Sequence, residues 1–448
     1  MAASTSDAYV DPLDLAGFLK PVFGELQWLL PEGVVLQKLF KFSKGDSVGS
    51  SFQEPVQVVT SWGVTFCGSD GGVVTLNESI SSKTVNATVT PYLTVLNDKV
   101  SYSMFDRGAE AGKKAFMATG AYIGKNLSMQ LRRLLEMSMM CGQDGFGTVS
   151  TYSASGTGSV VLTAASARIG ILAMLEGASI DIVRGTNIIA DGATASQSTG
   201  IKVLSVDIAT LTVTFVALPY IGSNAATPAA ADILFLHGAA GPTAGSVATA
   251  VSFQEMVGLK KQISATTGTV FGINKATYQA YRGNVVSTFG PVSAGSILAA
   301  AAQAINRGFQ GTFACVLSPT AWSVLNSRNI GQQVFDSSYK TSKADLGTEA
   351  IVLRGQGVTV ECYPSAFQAD GELMLLPKES IKRIGSAYEN SGEGGNGDTD
   401  ISFIIPGSSQ RFIQPIPGVT AVKVECRSDQ AIYLQKPAFA VICTGVTY

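Results

Sequence analysis

Few side chains in this 448-residue sequence can do chemistry, and their spacing gives them little to do together. The one histidine, His237, ends the apolar run ADILFLH. Paired-histidine zinc sites are therefore impossible, and a Ser-His-Asp or Cys-His system would have to be built on His237 alone. The expectation is a strand-end histidine held by local hydrogen bonds. Six cysteines (Cys67, Cys141, Cys315, Cys362, Cys426, Cys443) contain no CxxC pair, which fits free buried thiols in a reducing compartment. GAEAGKK from Gly108 and GAYIGKN from Gly120 each fall one residue short of a phosphate-binding loop. Neither has Ser or Thr after the lysine, and both lie in a predicted helix, not between strand and helix. GFG at Gly145 and GQG at Gly355 lack the third glycine of a dinucleotide fingerprint. GEGGNGDTD from Gly392 offers Asp398 and Asp400 to a cation but lacks the alternating ligands and closing glutamate of a calcium loop, and reads as a surface loop. No catalytic, cofactor-binding or metal-ligating set is predicted, and the chain does not read as an enzyme.

Composition points to covered surface. Charged residues make up 14% of the chain, against about 25% in ordinary soluble domains. Hydrophobic residues stand at a normal 46%, so Gly, Ala, Ser and Thr have replaced the missing charge. No run of 18 uninterrupted apolar residues exists, and the most apolar window, VVLTAASARIGILAML, contains Arg168. No membrane association is expected. The N-terminal MAASTSDAYVDPLDLAGF lacks the basic region and unbroken apolar core of a secretory signal, so the chain is expected to stay in the cytoplasm where it is made. On that route the sequons at Asn77, Asn86 and Asn126 are chance matches. Net charge is −2, without the basic stripe of a nucleic-acid reader. The short clusters Lys113–Lys114, Arg132–Arg133 and Lys260–Lys261 read as solvated helix faces.

The elements that would position these groups are unusual in one place. PVQVVTSWGVTF, a Gly/Ser/Asp-rich tip from Cys67 to Ser82, and KTVNATVTPYLTVL read as a long two-stranded β arm. A helix follows from near Arg107 to Cys141, with Ile123, Leu127, Leu131 and Leu134 on one stripe. At 1.5 Å per residue it would span roughly 50 Å. A projecting arm beside a long strut suits a subunit that reaches its neighbours. Residues 1–49 carry isolated apolar anchors and three prolines, and read as an arm laid over other structure. GFGTVSTYSASGTGS reads as a flexible connection. SIDIVRG, IKVLSVD, TLTVTFVALP and ADILFLHG then form a small β insertion, with a hairpin around Asp207 to Thr210. Helices are predicted at SFQEMVGLKKQI, at SAGSILAAAAQAINRG with Ser293 or Ser296 as cap, and at TAWSVLNS. Strands are predicted at TFACVLSP, EAIVLRG, VTVECYP and ELMLLP, and a final three-strand meander at VTAVKVECRS, QAIYLQK and AFAVICTG.

This order of elements resembles the Hong Kong 97-type major capsid protein of tailed bacteriophages. Local texture does too, in IKVLSVDIATLTVTF, FACVLSPTAWSVL and AIYLQKPAFAVICTG. The resemblance implies an α+β capsid fold: N-terminal arm 1–49, E-loop 50–104, P-domain spine helix 105–142, A domain 143–376 including a β insertion at 172–240, and returning P-domain strands 377–448. It implies a structural subunit that self-assembles through hexamers and pentamers into an icosahedral head enclosing double-stranded DNA, without sequence-specific binding. Scaffold, portal and decoration proteins are the further partners it brings, with assembly in the host cytoplasm and residence in the virion capsid. Low surface charge limits repulsion between many copies, and many weak contacts suffice together. Val73, Val74, Leu76 and Ile80 at the E-loop tip are the expected intersubunit contacts, being apolar where a free loop would be polar. Some members of the family crosslink through an E-loop lysine; this tip has none, though Lys83 borders it, so non-covalent interlocking is expected. An encapsulin-like compartment shell, a tail or decoration component and a soluble α/β enzyme are the rival readings.

Overall fold

The computed structural model describes residues 34–44, 51–67, 69, 74–101, 119–185, 187–190, 200–217, 227–241, 251–264, 266–329, 351–385, 400–402, 413–415 and 420–448. The one-turn helix α1 (Leu36–Leu39) and strand β1 (Phe42–Lys44) come first. Strands β2 (Phe52–Val59) and β3 (Lys83–Val89) then pair antiparallel, Phe52 opposite Val89 and Val56 opposite Val85, which is the predicted arm. The return limb is shorter than expected. Pro91 cannot donate to a ladder, and beyond it the chain leaves the arm as β4 (Tyr92–Ser101). Helix α2 is described over Thr119–Cys141, 23 residues or about 34 Å. Its expected start near Arg107 lies outside the described residues. Leu127, Leu131 and Leu135 are buried along it, while Leu134 is half-buried at the edge of the same core.

The stretch expected to be a flexible connection is instead structured. Strands β5 (Gly147–Ser153) and β6 (Ser159–Leu162) form there, followed by the one-turn helix α3 (Ile169–Leu172). Next come β7 (Ser179–Arg184), β8 (Asn187–Ala190), β9 (Ile201–Asp207), β10 (Thr212–Phe215) and β11 (Ile233–Leu236). The sheet order is β11-β5-β6-β10-β9-β7-β8, and β11 also pairs with β7. That last pairing closes all strands but β8 into an antiparallel barrel. Val149, Val160, Ile182, Val203, Val213, Phe215 and Leu234 are buried in its core. The predicted β9–β10 hairpin is present, its turn held by Asp207, which accepts from Ala209 N–H at 2.9 Å and the Thr210 hydroxyl at 2.7 Å.

Beyond the barrel, the expected helix over SFQEMVGLKKQI shrinks to α4 (Leu259–Ser264). Residues Ser252 and Gln254 are used otherwise, donating to Ala240 and Ala239 in extended conformation. Short strands follow: β12 (Thr269–Val270) pairs with β13 (Ile273–Asn274), then come β14 (Asn284–Val286) and β15 (Gly290–Pro291). Helix α5 (Ala294–Ile305) starts at Ser293, whose hydroxyl accepts from Ser296 N–H while the Ser296 hydroxyl accepts from Ser293 N–H, a reciprocal capping box. Strand β16 (Thr312–Leu317), helix α6 (Pro319–Asn329) and strands β17 (Ile351–Gly355), β18 (Val358–Pro364) and β19 (Glu372–Pro377) match the predicted order. The unbroken apolar runs of β16 and β19 are explained by burial on both faces. Phe313, Cys315 and Leu317 face the core of α5 and α6, and Ala314 and Val316 face the core shared with α2 and the barrel.

The last elements are β20 (Ile381–Gly385), β21 (Ile413–Pro415), β22 (Ala421–Leu434), β23 (Val441–Thr444) and β24 (Val446–Thr447), which pairs with β15. They do not form the expected meander. VTAVKVECRS and QAIYLQK are one 14-residue strand, β22, paired with β4 over Ala421–Gln430 and with β20 over Gln430–Leu434. The polar Ser428–Gln430 step, which reads as a turn, stays in the ladder because its side chains are satisfied inside. Gln430 donates to Ser428 Oγ at 2.6 Å and accepts from Arg383 Nε at 2.5 Å. Strand β23 leaves for the six-stranded sheet β14-β23-β19-β16-β18-β17. Helix α2 packs on β4 and β22, joining the two sheets through one core. Among the described residues no helix is long and apolar enough to cross a membrane.

Candidate intersubunit surfaces

The arm's outer half is held by few bonds. Among the described residues beyond Val59 and Lys83, the limbs meet at one bridge, with Trp62 N–H donating to Ile80 O at 3.0 Å and Ile80 N–H to Trp62 O at 2.5 Å. Asn77 adds a second tie, its amide donating to Val64 O at 2.8 Å and its N–H to Thr65 Oγ1 at 2.9 Å. Around this frame apolar side chains stand in solvent: Phe66 is 90% exposed, Leu76 77%, Trp62 63% and Ile80 58%. Val74 is exposed as well, whereas Val73 lies outside the described residues. Trp62, Val64 and Phe66 were not among the predicted contacts. Their period-two spacing was the available signal, since it puts all three on one face of an extended limb. Fully covering a side chain of this size stabilises by about 1.5–3 kcal/mol.

The arm's root is anchored differently. Phe52, Ala87 and Val89 bury against Ile273, Tyr281, Ala431 and Tyr433 in a small separate core. Thr88 N–H donates to Phe271 O at 2.9 Å, and Glu54 pairs with Lys382 at 3.0 Å and accepts from Gln435. Burial pushes the Tyr433 hydroxyl up to about 12. A cleft of about 780 Å³ opens beside β2, lined by Glu54, Val56, Tyr281, Arg307 and Phe439. A second exposed apolar face lies on β4. Tyr92 and Leu96 pack toward the α2 core, so the alternate residues Leu93 and Val95 point away from it, 54% and 40% exposed.

Inside, the polar groups hold the elements together. Arg168 pairs with Glu372 at 2.9 Å, and Lys260 bridges Glu372 at 2.7 Å and Asp144 at 2.9 Å. Burial raises the Glu372 carboxyl, but Arg168 and Lys260 outweigh it and hold it below the usual range. Among the described residues, Glu255 has no such cation at hydrogen-bond distance. Burial pushes its carboxyl up to about 7, against hydrogen bonds from Gln143 N–H at 2.7 Å and from Ser138. Beside it Gly142 and Gly258 touch through their backbones, Gly258 N–H to Gly142 O at 3.0 Å; a Cβ on Gly142 would sit 2.3 Å from Met256 O. His237 does what a strand-end histidine was expected to do: Nδ1 lies 2.8 Å from Asp181 Oδ1, and Asp181 also accepts from Gly238 N–H. Asp400 pairs with Arg383, while Asp398 lies outside the described residues. Five cysteines are buried, and Cys67 on the arm is exposed. Among the described residues no group of three or more His, Cys, Asp or Glu could hold a metal ion.

No protein-family model and no curated protein matches the sequence. In structure the chain is similar to the capsid asymmetric unit of cyanophage A-1(L), with a TM-score of 0.54 and 10% identity over 98% of this chain and 100% of that one. The capsid of Myoviridae phage XM1 aligns with a TM-score of 0.43 and 8% identity over 96% and 98% of the two chains. The holo-SrpI encapsulin complex from Synechococcus elongatus PCC 7942 aligns with a TM-score of 0.39 and 8% identity over 98% and 99%. The cyanophage alignment gives this chain an α+β fold of the phage capsid type.

Proposed function

We propose that this chain is the structural subunit of an icosahedral phage head that encloses double-stranded DNA. The observation that carries the reading is the end-to-end match to the cyanophage capsid subunit, combined with an arm whose apolar side chains stand exposed among the described residues. In this reading the chain divides as in the Hong Kong 97 type. The N-terminal arm is 1–49, the E-loop 50–104, the spine helix 105–142, the A domain 143–376 and the returning P-domain strands 377–448. The tip residues Val73, Val74, Leu76 and Ile80, joined by Trp62 and Phe66, pack on a neighbouring copy. The exposed Leu93–Val95 face of β4 is an apolar surface that can receive them. Copies gather as hexamers and pentamers, with scaffold, portal and decoration proteins as further partners during assembly in the host cytoplasm. The subunit works by binding its own kind, and no catalytic role is assigned to any residue.

The test is negative-stain electron microscopy of the expressed chain, alone and with the product of any neighbouring scaffold gene. Closed shells or six- and five-membered rings are expected. A compact monomer or dimer in both samples contradicts the proposal. The nucleic acid or protein recovered from shells made during infection separates a phage head from a cargo compartment.

A further inference from the structure

Charge is sorted on the surface made by α1 and α2. Their described segments, 34–44 and 119–141, contain Lys38, Lys41, Lys44, Lys125, Arg132 and Arg133 against the single acid Glu136. Glu136 is fully buried and is spent internally, its carboxylate accepting from the N–H groups of Val35 at 2.8 Å, Leu36 at 2.6 Å and Gln37 at 3.2 Å. Those are donors that a helix start leaves without partners. Arg133 is buried as well. What remains exposed is cationic: Lys38, Lys41, Lys125 and Arg132. The Glu136 cradle, with Gln37 Nε2 donating to Arg132 O at 2.5 Å, fixes α1 against α2 so that Lys38 follows directly on the residue touching Arg132. Lys125 and Arg132 are seven residues apart, two helical turns, on one face and about 10 Å apart along the axis. Two carboxylates of the neighbouring sheet are engaged elsewhere, Asp400 by Arg383 and Glu425 by Lys423 and Arg427. In a chain of net charge −2 this is a local excess.

We infer that this cationic face is where the shell wall meets the phosphate backbone of enclosed duplex DNA. The inference rests on the head-subunit reading and adds to it which side of the subunit is the inner one. The face fits a polyanion better than a folded protein, because protein interfaces need an apolar centre. Among the described residues, none of the exposed large hydrophobic side chains lies on α1 or α2. Cations that meet only phosphate read charge and not base sequence, as a container wall requires.

The experiment is fluorescence anisotropy of unassembled subunits with a mixed-sequence duplex over a range of salt. Wild type is compared with the triple variant Lys38→Gln, Lys41→Gln, Arg132→Gln and with a charge-matched control, Lys202→Gln, Arg307→Gln, Arg354→Gln. Each lost phosphate contact removes about 0.9 from the slope of log affinity against log salt. The first triple should lose about 2 to 3 units of slope and at least about tenfold in affinity at 0.1 M salt, the control almost nothing. Equal slopes in all three proteins, or an equal loss in the control, overturn the inference. So does tighter binding of polyglutamate than of duplex, which would point to an acidic protein segment. Should the triple fail to fold, Lys41→Gln and Arg132→Gln singly should each remove about 0.9, and unchanged singles overturn it equally. Electron microscopy of the same samples separates the two readings. Shells with unchanged slopes sink the inference alone, whereas a slope loss without any shell sinks the head-subunit reading and leaves a phosphate-binding face.

Discussion

The barrel and the arm are both antiparallel β structure, yet they handle exposed edges and apolar side chains in opposite ways. In the barrel, β11 pairs with both β5 and β7, so the strands close on themselves and the apolar residues turn inward. The arm has two strands, a buried root and an outer half held by the Trp62–Ile80 bridge and Asn77, with Phe66 and Leu76 in solvent. A two-stranded hairpin is marginal alone. The difference teaches that the barrel closes on its own strands, whereas among the described residues the arm's outer half leaves its apolar side chains in solvent, as the proposed shell contact requires. Substitutions should therefore separate folding from assembly according to where they fall.

The widest separation is expected between two phenylalanines. Phe215→Ala in the barrel core should destabilise the subunit by about 3–5 kcal/mol, read from denaturant unfolding. Phe66→Ala on the arm should change stability by less than about 0.5 kcal/mol while impairing assembly. Equal effects on stability would erase the contrast. The buried junction should behave like the barrel. Glu372→Gln removes the charge that Arg168 and Lys260 share, and about 3 kcal/mol or more should be lost in the same assay, with no selective effect on arm contacts.

Glu255 gives a pH-dependent version of the same test. Its folded carboxyl is raised to about 7 from an ordinary value near 4.5, so the folded state binds the extra proton between those values. The contribution is therefore favourable below about pH 4.5 and is lost as pH rises toward 7, amounting to about 2–3 kcal/mol. Glu255→Gln should remain as stable as wild type near pH 5 and be more stable at pH 8, in melting curves taken at both. A parallel pH profile for the two proteins would rule this out. The smallest effect is expected at the α5 cap, where Ser293→Ala should cost about 1 kcal/mol.

What the sequence showed in advance, and what it did not, follows from how local each signal is. The α5 start was legible because Ser293 and Ser296 act on their own helix turn, and the β9–β10 hairpin because Asp207 closes its own turn. The arm was legible from alternation on both limbs. Strand β5 was not: its outward positions are Ser and Thr, its inward ones include Gly147, and only closure of the barrel makes GTVSTYS a strand. The fate of AFAVICTG was equally non-local, since β23 is chosen by pairing with β14 and β19, far away in sequence. Of the expected contact residues, Val74, Leu76 and Ile80 were marked by apolarity in a turn-rich tip, while Trp62, Val64 and Phe66 were hidden inside what read as an ordinary strand. The Glu136 cradle left no pattern at all, because its partners lie about a hundred residues earlier in the chain.

The most direct test of the central claim compares wild type with the variant Phe66→Asp, Leu76→Asp by sedimentation velocity, under conditions where wild type assembles, alongside melting curves of both unassembled proteins. The expected result is large shells for wild type and a folded, unassembled variant melting at nearly the same temperature. Shells from the variant in wild-type yield would contradict the claim that the arm is completed by a neighbouring copy.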